Sequence, residues 1–292
     1  MSGLTVLTTG PLATFQDRGR PGYAHLGVPR SGAADLIAFD RANRLVGNEP
    51  SAIGIETTFG GWSARAHGDL LMAVTGPATT VTVGGRAVGV NAAFPVRSGE
   101  RVEVRSPAAG CRHYVCVRGG LSAPTTLGSA ATDSLSGLGP PPLHGGDEIA
   151  IGDQAAAWPS ALLAPQPARP AGPVRLVLRP GPRSDHLADP AELETLAWSV
   201  NAASNRIGVR LDPVGAEDPE APALRLQPGA GQLPSEGVPL GGLQVPPAGQ
   251  PVIFLADHPV TGGYPVVAVL SPESLSRAAQ LVVGERVTLR LG

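Results

Sequence analysis

The chain has 292 residues, 42% of them hydrophobic, and a formal net charge of −2. That length carries one large or two ordinary domains, and the near-neutral charge leaves no electrostatic footprint for nucleic acid or an acidic membrane surface. All 22 basic residues are Arg; without Lys the chain cannot form a Lys Schiff base, carry a biotinyl-lysine or hold a G-x-x-x-x-G-K-[ST] phosphate loop.

The 39 Gly and 31 Pro are spread among apolar runs, which reads as many short strands and turns. Cys111 and Cys116 lie five apart in a strand-like run, on opposite strand faces. They read as plain buried thiols of a reducing, cytoplasmic protein. The start, MSGLTVLTTG, has no charged region followed by a long apolar one, and no run approaches 18 apolar residues. A signal peptide and a transmembrane helix are therefore not expected.

In chain order, Leu4 to Thr9 alternates as a first strand. Gln16 to Asp35, QDRGRPGYAHLGVPRSGAAD, has four Gly, two Pro, three Arg and two Asp. Such a stretch predicts a shaped loop, with Ser31 as N-cap of the helix that follows. Ala33 to Val46 is that helix, with Leu36, Ile37, Phe39, Leu45 and Val46 on its apolar side and Gly47-Asn48 as its stop. From 53 to 152 the texture is β: IGIETTFGG, DLLMAVTG, TTVTVGG, NAAFPV, ERVEVRS, CRHYVCVRGG and DEIAIGD are short runs punctuated by turn residues. Regular short strands with no helices between them predict a barrel or sandwich.

Residues 158–173 contain five Pro and predict a stiff linker. It separates an N-terminal β-rich lobe, 1–157, from a C-terminal lobe, 174–292. The second lobe opens with the strand VRLVLRPG. Asp189 as N-cap and Pro190 at the first helical position predict a helix next. SNRIGVRL, a Pro- and acid-rich excursion over Asp212 to Pro222, and strands near 224–227, 243–245, 252–256 and 265–270 follow. A helix over Pro272 to Leu281 and a last strand over Arg286 to Leu291 end the chain. The fold class is thus mainly β with a few helices, in two lobes.

No standard catalytic signature is present: there is no G-x-S-x-G, H-E-x-x-H or C-x-x-C. The six His (His25, His67, His113, His144, His186, His258) lack metal-ligand spacing. Four polar, Gly-rich segments are the alternatives. In the first, Arg18 and Arg20 are candidates to hold a carboxylate or phosphate, with Gln16 and Asp17 beside them. In the second, Ser204 to Leu211, Arg206 and Arg210 could form an anion clamp. In the third, Gln244 follows Gly241-Gly242 and could read an amide or carboxyl group. In the fourth, Thr261, Gly262, Gly263 and Tyr264 could form a nest of backbone N–H groups, with Asp257 as a base and His258 as its neighbour. Each segment also reads as ordinary turns bearing solvated side chains.

QDRGRPGYAHLGVPRSGAAD, NRLVGNEP with Glu56 after it, RGGL at 118–121 (adding Arg118 to the site candidates), SNRIGVRL, GGLQVPPAGQPV and TGGYPVVA occur in an order that resembles the family of the C-type subunit of bacterial 5-oxoprolinase. That family is also called allophanate hydrolase subunit 2 or KipA, and the biotin-dependent carboxyltransferase A/B subdomain family. The resemblance spans about residues 4–291. It implies a subdomain A-like lobe, a subdomain B-like lobe and cyclophilin-like β-barrel character. It implies a complex with two other chains, a KipI-like B-type subunit (allophanate hydrolase subunit 1-like) and a LamB/YcsF-like A-type subunit. That complex converts 5-oxoproline, ATP and water to glutamate, ADP and phosphate. ATP is then a cofactor of the complex rather than necessarily of this chain. The alternatives are a carboxyltransferase acting on carboxybiotin carried by another chain, as in urea carboxylase, and a KipA-like binding protein that antagonises a KipI-type kinase inhibitor. The stretch has Val260 in place of the first Thr of the usual TTGGY. The resemblance implies a site built from the matching polar residues, with Asp17 or Asp257 as acid/base candidates.

Overall fold

The computed structural model describes residues 2–165, 169, 171–215, 223–230 and 232–292. Residues 166–168 and 170 of the Pro-rich stretch, and 216–222 of the excursion after Asp212, lie outside the described residues. The chain is mainly β and forms two compact units that are not consecutive in sequence. Unit 1 comprises Met1–Arg20, Ser31–Asp133 and Gly137–Ala168; unit 2 comprises Pro21–Arg30, Ser134–Ser136 and Arg169–Gly292. The Gln16–Asp35 stretch is therefore shared between them.

Unit 1 holds strands β1 (Gly3–Thr9), β2 (Leu12–Gln16), β3 (Gly54–Thr58), β4 (Trp62–His67), β5 (Leu70–Thr75), β6 (Val81–Val83), β7 (Arg86–Val88), β8 (Ala92–Val96), β9 (Arg101–Val104), β10 (Arg112–Val117) and β11 (Glu148–Ala150), with helix α1 (Leu36–Val46). A six-stranded sheet runs β11-β1-β4-β9-β6-β7 and a five-stranded sheet β2-β3-β10-β5-β8. Both contribute to one core, with Val6, Trp62, Ala64 and Val102 from the first and Phe15, Ile55, Met72 and Val115 from the second. This is a sandwich built by alternation, in which every second residue faces inward.

The helix covers the outer face of the five-stranded sheet. Phe39, Ala42 and Val46 pack there with Ala73, Tyr114 and Cys116. Strand β10 is consequently buried along its whole length, and its apolar residues divide by parity. Val115 and Val117 enter the sandwich core, while Tyr114 and Cys116 enter the helix-facing core. Both cysteines are free and buried, and burial pushes the Cys116 thiol up.

Two local expectations change here. Helix α1 begins later than the sequence pattern indicates, and its N-cap is Asp35, whose Oδ1 accepts from Ala38 N at 3.1 Å. Ser31 cannot cap it, because it sits at φ 52° ahead of Gly32 at φ 100°. A Cβ on Gly32 would lie 2.8 Å from Gly19 N. Ile37, placed on the apolar side by the sequence, is 40% exposed. Gly47 does end the helix in the left-handed region, at φ 68°.

Unit 2 holds β12 (Val174–Pro180), α2 (Glu192–Thr195), β13 (Trp198–Val200), β14 (Gly208–Pro213), β15 (Glu236–Gly237), β16 (Gly242–Gln244), β17 (Val252–Phe254), β18 (Thr261–Gly262), β19 (Val266–Leu270), α3 (Pro272–Ala278) and β20 (Arg286–Leu291). Seven of its strands close a barrel in the order β12-β19-β16-β17-β14-β13-β20, with β12 and β20 parallel. Closure removes the sheet edges. Leu176, Trp198, Leu211, Leu243, Ile253 and Leu289 fill the core. The Asp189-capped helix is only the single turn α2: its N-cap is Ala191, whose N–H donates to Asp189 Oδ1. The strand expected near 224–227 is reduced to one bridge, between Leu187 and Leu226.

Asp35→Ala removes the cap of α1 and should cost about 1 kcal/mol of unfolding free energy in urea titration; an unchanged midpoint would contradict this role. His113 is fully buried, its Nε2 donating to Pro77 O, and burial lowers its pKa from 6.5 to about 4. A depressed folded pKa contributes stability that is complete above pH 6.5 and lost as pH falls toward about 4. The loss should be on the order of 3 kcal/mol. His113→Gln, which can still donate to Pro77 O, should flatten that part of the stability–pH curve.

Candidate functional site

The residues singled out in the sequence separate into the two units, and most are fixed structurally. In unit 1, segment 126–132 supplies the partners of the loop that follows β2. Asp17, 5% exposed, accepts from Gly19 N, Ser129 Oγ and Ala130 N, each at 2.7 Å. A carboxylate holding three donors is a clamp for its own loop. Arg20 is buried and donates to the carbonyls of Thr126 and Ala131, so it is no open anion site. Gln16 Nε2 donates to Thr14 Oγ1 and Thr132 O, and Ser31 Oγ also donates to Thr132 O. Gln16 Oε1 and Arg20 Nη1 are the two places where this network is incomplete among the described residues.

Arg18 is half-exposed and pairs with Asp40 at 3.4 Å. Arg118 donates to Val46 O, Gly47 O and Ala157 O and lies 4.2 Å over the Trp158 ring. It closes the C-terminus of α1, a role that its charge favours. Glu56, marked in the sequence only by its place after NRLVGNEP, is a hub. Its Oε2 accepts from Ala34 N and Tyr114 Oη at 2.9 Å, and Oε1 lies 3.4 Å from Arg112.

In unit 2, Arg206 and Asp257 form one ion pair instead of a clamp and a base. Arg206 Nε donates to Asp257 Oδ2 at 2.9 Å and Nη2 to Oδ1 at 3.1 Å. The side chains are 4% and 0% exposed. Ser134 adds two donors to Oδ2, its N–H at 2.9 Å and its hydroxyl at 2.7 Å. Burial alone raises the Asp257 pKa, but the Arg206 charge, its hydrogen bonds and those of Ser134 outweigh burial and hold the carboxyl below 3.8. It is therefore a fixed anion, unsuited to general-base catalysis at neutral pH. The neighbouring His258 donates from Nδ1 to Pro259 O.

Arg210 does not join Arg206, since it lies on the outward side of β14 while Arg206 is buried. Its backbone N–H donates to Ser204 Oγ, which makes Ser204 a turn residue. Gln244 donates to Tyr264 O at 3.1 Å and so holds the 261–264 loop. Gly262 packs onto it: a Cβ there would lie 2.9 Å from Gln244 Nε2. No nest forms at Gly262-Gly263, because neither has positive φ. Instead Thr261 and Gly262 pair with Gly237 and Glu236, and Gly263 O accepts from Leu233 N. Tyr264 is 40% exposed.

The ion pair anchors the walls of a cavity of about 460 Å³ within unit 2. One wall is the turn of Ala24, His25, Gly27 and Pro29. A second is Leu135 and Ser136, directly after Ser134. The third is Pro259, Val260 and Thr261, which begins two residues past Asp257. Asp257 thus holds two of the three walls, one through its own backbone and one through Ser134. Of the site residues marked in the sequence, only Thr261 lines this cavity. His25 sits inside the first motif, but nothing in its sequence neighbourhood marks it, and Ser136 lies in no motif. Among the described residues no group of three His, Cys, Asp or Glu is placed to hold a metal.

Asp257→Asn should destabilise the protein by about 3–5 kcal/mol, because it leaves the Arg206 charge buried without a counter-charge. Since the Asp257 pKa is depressed, its contribution is complete above pH 3.8 and is lost as pH falls below that value. The gap in thermal stability between the two proteins should therefore stay constant from pH 7 to about pH 4 and begin to narrow only as pH falls below 3.8.

The carboxyltransferase domain, subdomain A and B, family matches residues 26–291. The chain is 30% identical to the C subunit of 5-oxoprolinase from Escherichia coli over 97% of its own length and 89% of that protein. It is 30% identical to urea amidolyase of Lachancea kluyveri, over 97% of its length but 16% of that protein. Among solved structures, TTHA0988 superposes with a TM-score of 0.84 at 32% identity. The alignment covers all of this chain and 56% of TTHA0988, so the chain spans just over half the length of that protein. The urea amidolyase of K. lactis superposes with a TM-score of 0.84 at 27% identity, over 98% of this chain and 18% of that one. The chain belongs to the family of the carboxyltransferase domain, subdomains A and B.

Proposed function

We propose that this chain is the C-type subunit of a 5-oxoprolinase complex, which opens the lactam of 5-oxoproline with ATP and water to give glutamate, ADP and phosphate. The observation that carries this reading is mutual coverage. The match to the 5-oxoprolinase C subunit takes in 97% of this chain and 89% of the relative, whereas urea amidolyase is matched over 16% of its length. A chain with no Lys and no phosphate loop suits a complex in which another subunit supplies the nucleotide site. The partners in this reading are a KipI-like B-type subunit and a LamB/YcsF-like A-type subunit. Two free, buried cysteines accord with a reducing, cytoplasmic setting.

Neither Asp17 nor Asp257 is an acid or base in this reading. Both hold loops, and Asp257 with Arg206 fixes the walls of the unit 2 cavity. A second reading, transfer of a carboxyl group from a carboxybiotin carried on another chain, is favoured by the family description and by the urea amidolyase relatives. The two readings part in one assay. This chain, reconstituted with its B- and A-type partners, should release ADP and glutamate only when 5-oxoproline, ATP and all three chains are present. Absence of ATP-dependent 5-oxoproline loss would sink the first reading. Carboxybiotin-dependent carboxylation of urea by this chain with its partner would establish the second.

A further inference from the structure

Among the described residues, Ser31, Phe59, Asn91 and Leu127 are the non-glycine residues with φ in the left-handed region. A large L side chain is strained there. Three of the four have a reason in the packing around them. Ser31 precedes Gly32, whose backbone abuts Gly19. Asn91 is a residue type that tolerates this region, and its side chain is bonded both ways to Gly76, accepting from the N–H and donating to the carbonyl. Phe59 donates from its N–H to Cys111 O and is followed by Gly60, which abuts Arg105 O. Leu127 stands apart. Its neighbour Gly128 faces open space, with nothing within 4 Å of where a Cβ would stand.

Thr126 and Ser129 exchange backbone hydrogen bonds of 2.8 and 3.2 Å and close a two-residue hairpin turn. Leu127 at φ 52° and Gly128 at φ 78° make it type I′. The favoured sequence for that turn is Asn-Gly. Leu at the first position adds strain without adding to the core: it is 42% exposed and joins none of the apolar clusters of the described residues. The turn is also held firmly. Arg20 donates from Nε to Thr126 O and from Nη2 to Ala131 O, while Ser129 Oγ and Ala130 N donate to Asp17. Two buried charged side chains thus fix the backbone that carries one exposed, strained leucine. Strain of this kind persists only where the surroundings over-determine it, and it concentrates at functional sites.

Shape and charge narrow what covers it. A two-residue hairpin tip is convex, so its complement is concave: a hollow on another protein rather than a small molecule, which itself needs a pocket. Residues 119–132, GGLSAPTTLGSAAT, carry no charge. The matching hollow is therefore apolar, and the contact is insensitive to salt. Two copies meeting tip to tip would bury little more than a pair of leucines, far short of the roughly 800 Å² per partner of a stable interface. We propose that Leu127 is a docking knob, presented by the Thr126–Ser129 turn and seated in an apolar hollow of the B-type partner subunit. The choice of that partner rests on the subunit reading above; the knob rests on the turn alone.

The full chain is titrated by calorimetry with the purified B-type subunit. Leu127→Asn should raise the thermal midpoint of the chain alone, because it relieves the turn, and should weaken the association at least about tenfold. A variant more stable than its parent cannot lose affinity by unfolding. Leu127→Met, which keeps an apolar reach, should bind as the parent does, and so should Ile37→Gln on the exposed side of α1. The affinity ratio between parent and Leu127→Asn should be the same at low and at high salt. A lower midpoint for Leu127→Asn would remove the strain on which the inference rests. Parent-like binding by a stabilised Leu127→Asn, or a ratio that vanishes at high salt, would overturn the knob. If sedimentation shows that the parent self-associates and Leu127→Asn does not, a second copy is the occupant and the proposal fails in its partner. If the assembled complex opens 5-oxoproline and is indifferent to Leu127→Asn in both affinity and kcat/KM, the knob fails and the subunit reading stands. If Leu127→Asn weakens association while the full complex shows no turnover, the 5-oxoprolinase reading fails and the knob stands. Absence of any association between the chain and the B-type subunit would overturn both.

Discussion

The buried pair of Arg206 and Asp257 is the interaction on which unit 2's cavity depends. Two charges removed from water are costly unless they are well paired and hydrogen-bonded. Here the guanidinium meets both carboxylate oxygens, and Ser134 adds two donors. The geometry does more than offset that cost. Asp257 lies two residues before Pro259, and Ser134 two residues before Ser136. A single carboxylate therefore sets the positions of chain segments that are distant in sequence, |i−j| being 123 for Ser134 and Asp257. The backbone reinforces it, since Asp257 N donates to Arg206 O and Leu255 N to Ile207 O. The barrel beneath is closed and apolar, so these fixed ends of its connections are where polar geometry can be held to a small tolerance.

Unit 1 uses polar residues in the same way, with backbone as the partner. Asp17, Arg20, Gln16 and Ser31 are all buried, and all are satisfied at least in part by atoms of residues 126–132 or by their own loop. A loop in which Gly19 and Gly32 lie back to back has little side-chain packing to define it, and its conformational entropy is high. Charged side chains that cap its amides and bind neighbouring carbonyls replace that missing packing. Glu56 extends the device to Ala34 N and to Tyr114, whose hydroxyl in turn accepts from Asp35 N, and so ties the start of α1 to the five-stranded sheet.

Arrangements of this kind explain why charged residues in ordered, Gly-rich motifs need not be catalytic. Removing Asp17 or Asp257 would disturb the loops they hold. A loss of function in such variants reports positioning, and a change in stability must be measured beside it to separate the two.

Local pattern determined much of the fold. The period-two runs of β1, β9 and β20, the Gly47 stop, and the Pro272 helix start are properties of short segments, because alternation and capping act over a few residues. The ordered motifs also determined the family. Tertiary structure alone decided three other matters. It put Asp35 in place of Ser31 as the α1 cap, because Gly32 packs against Gly19 and forces a positive φ on the approach. It buried both faces of β10, which no alternation within RHYVCV reveals. It joined Arg206 to Asp257 and brought His25, Ser136 and Thr261 around one cavity. Charge, spacing and glycine content state what a residue can do. Which distant partner reaches it is fixed only when the units fold and desolvation makes each buried charge find a counter-charge or hydrogen-bonding groups.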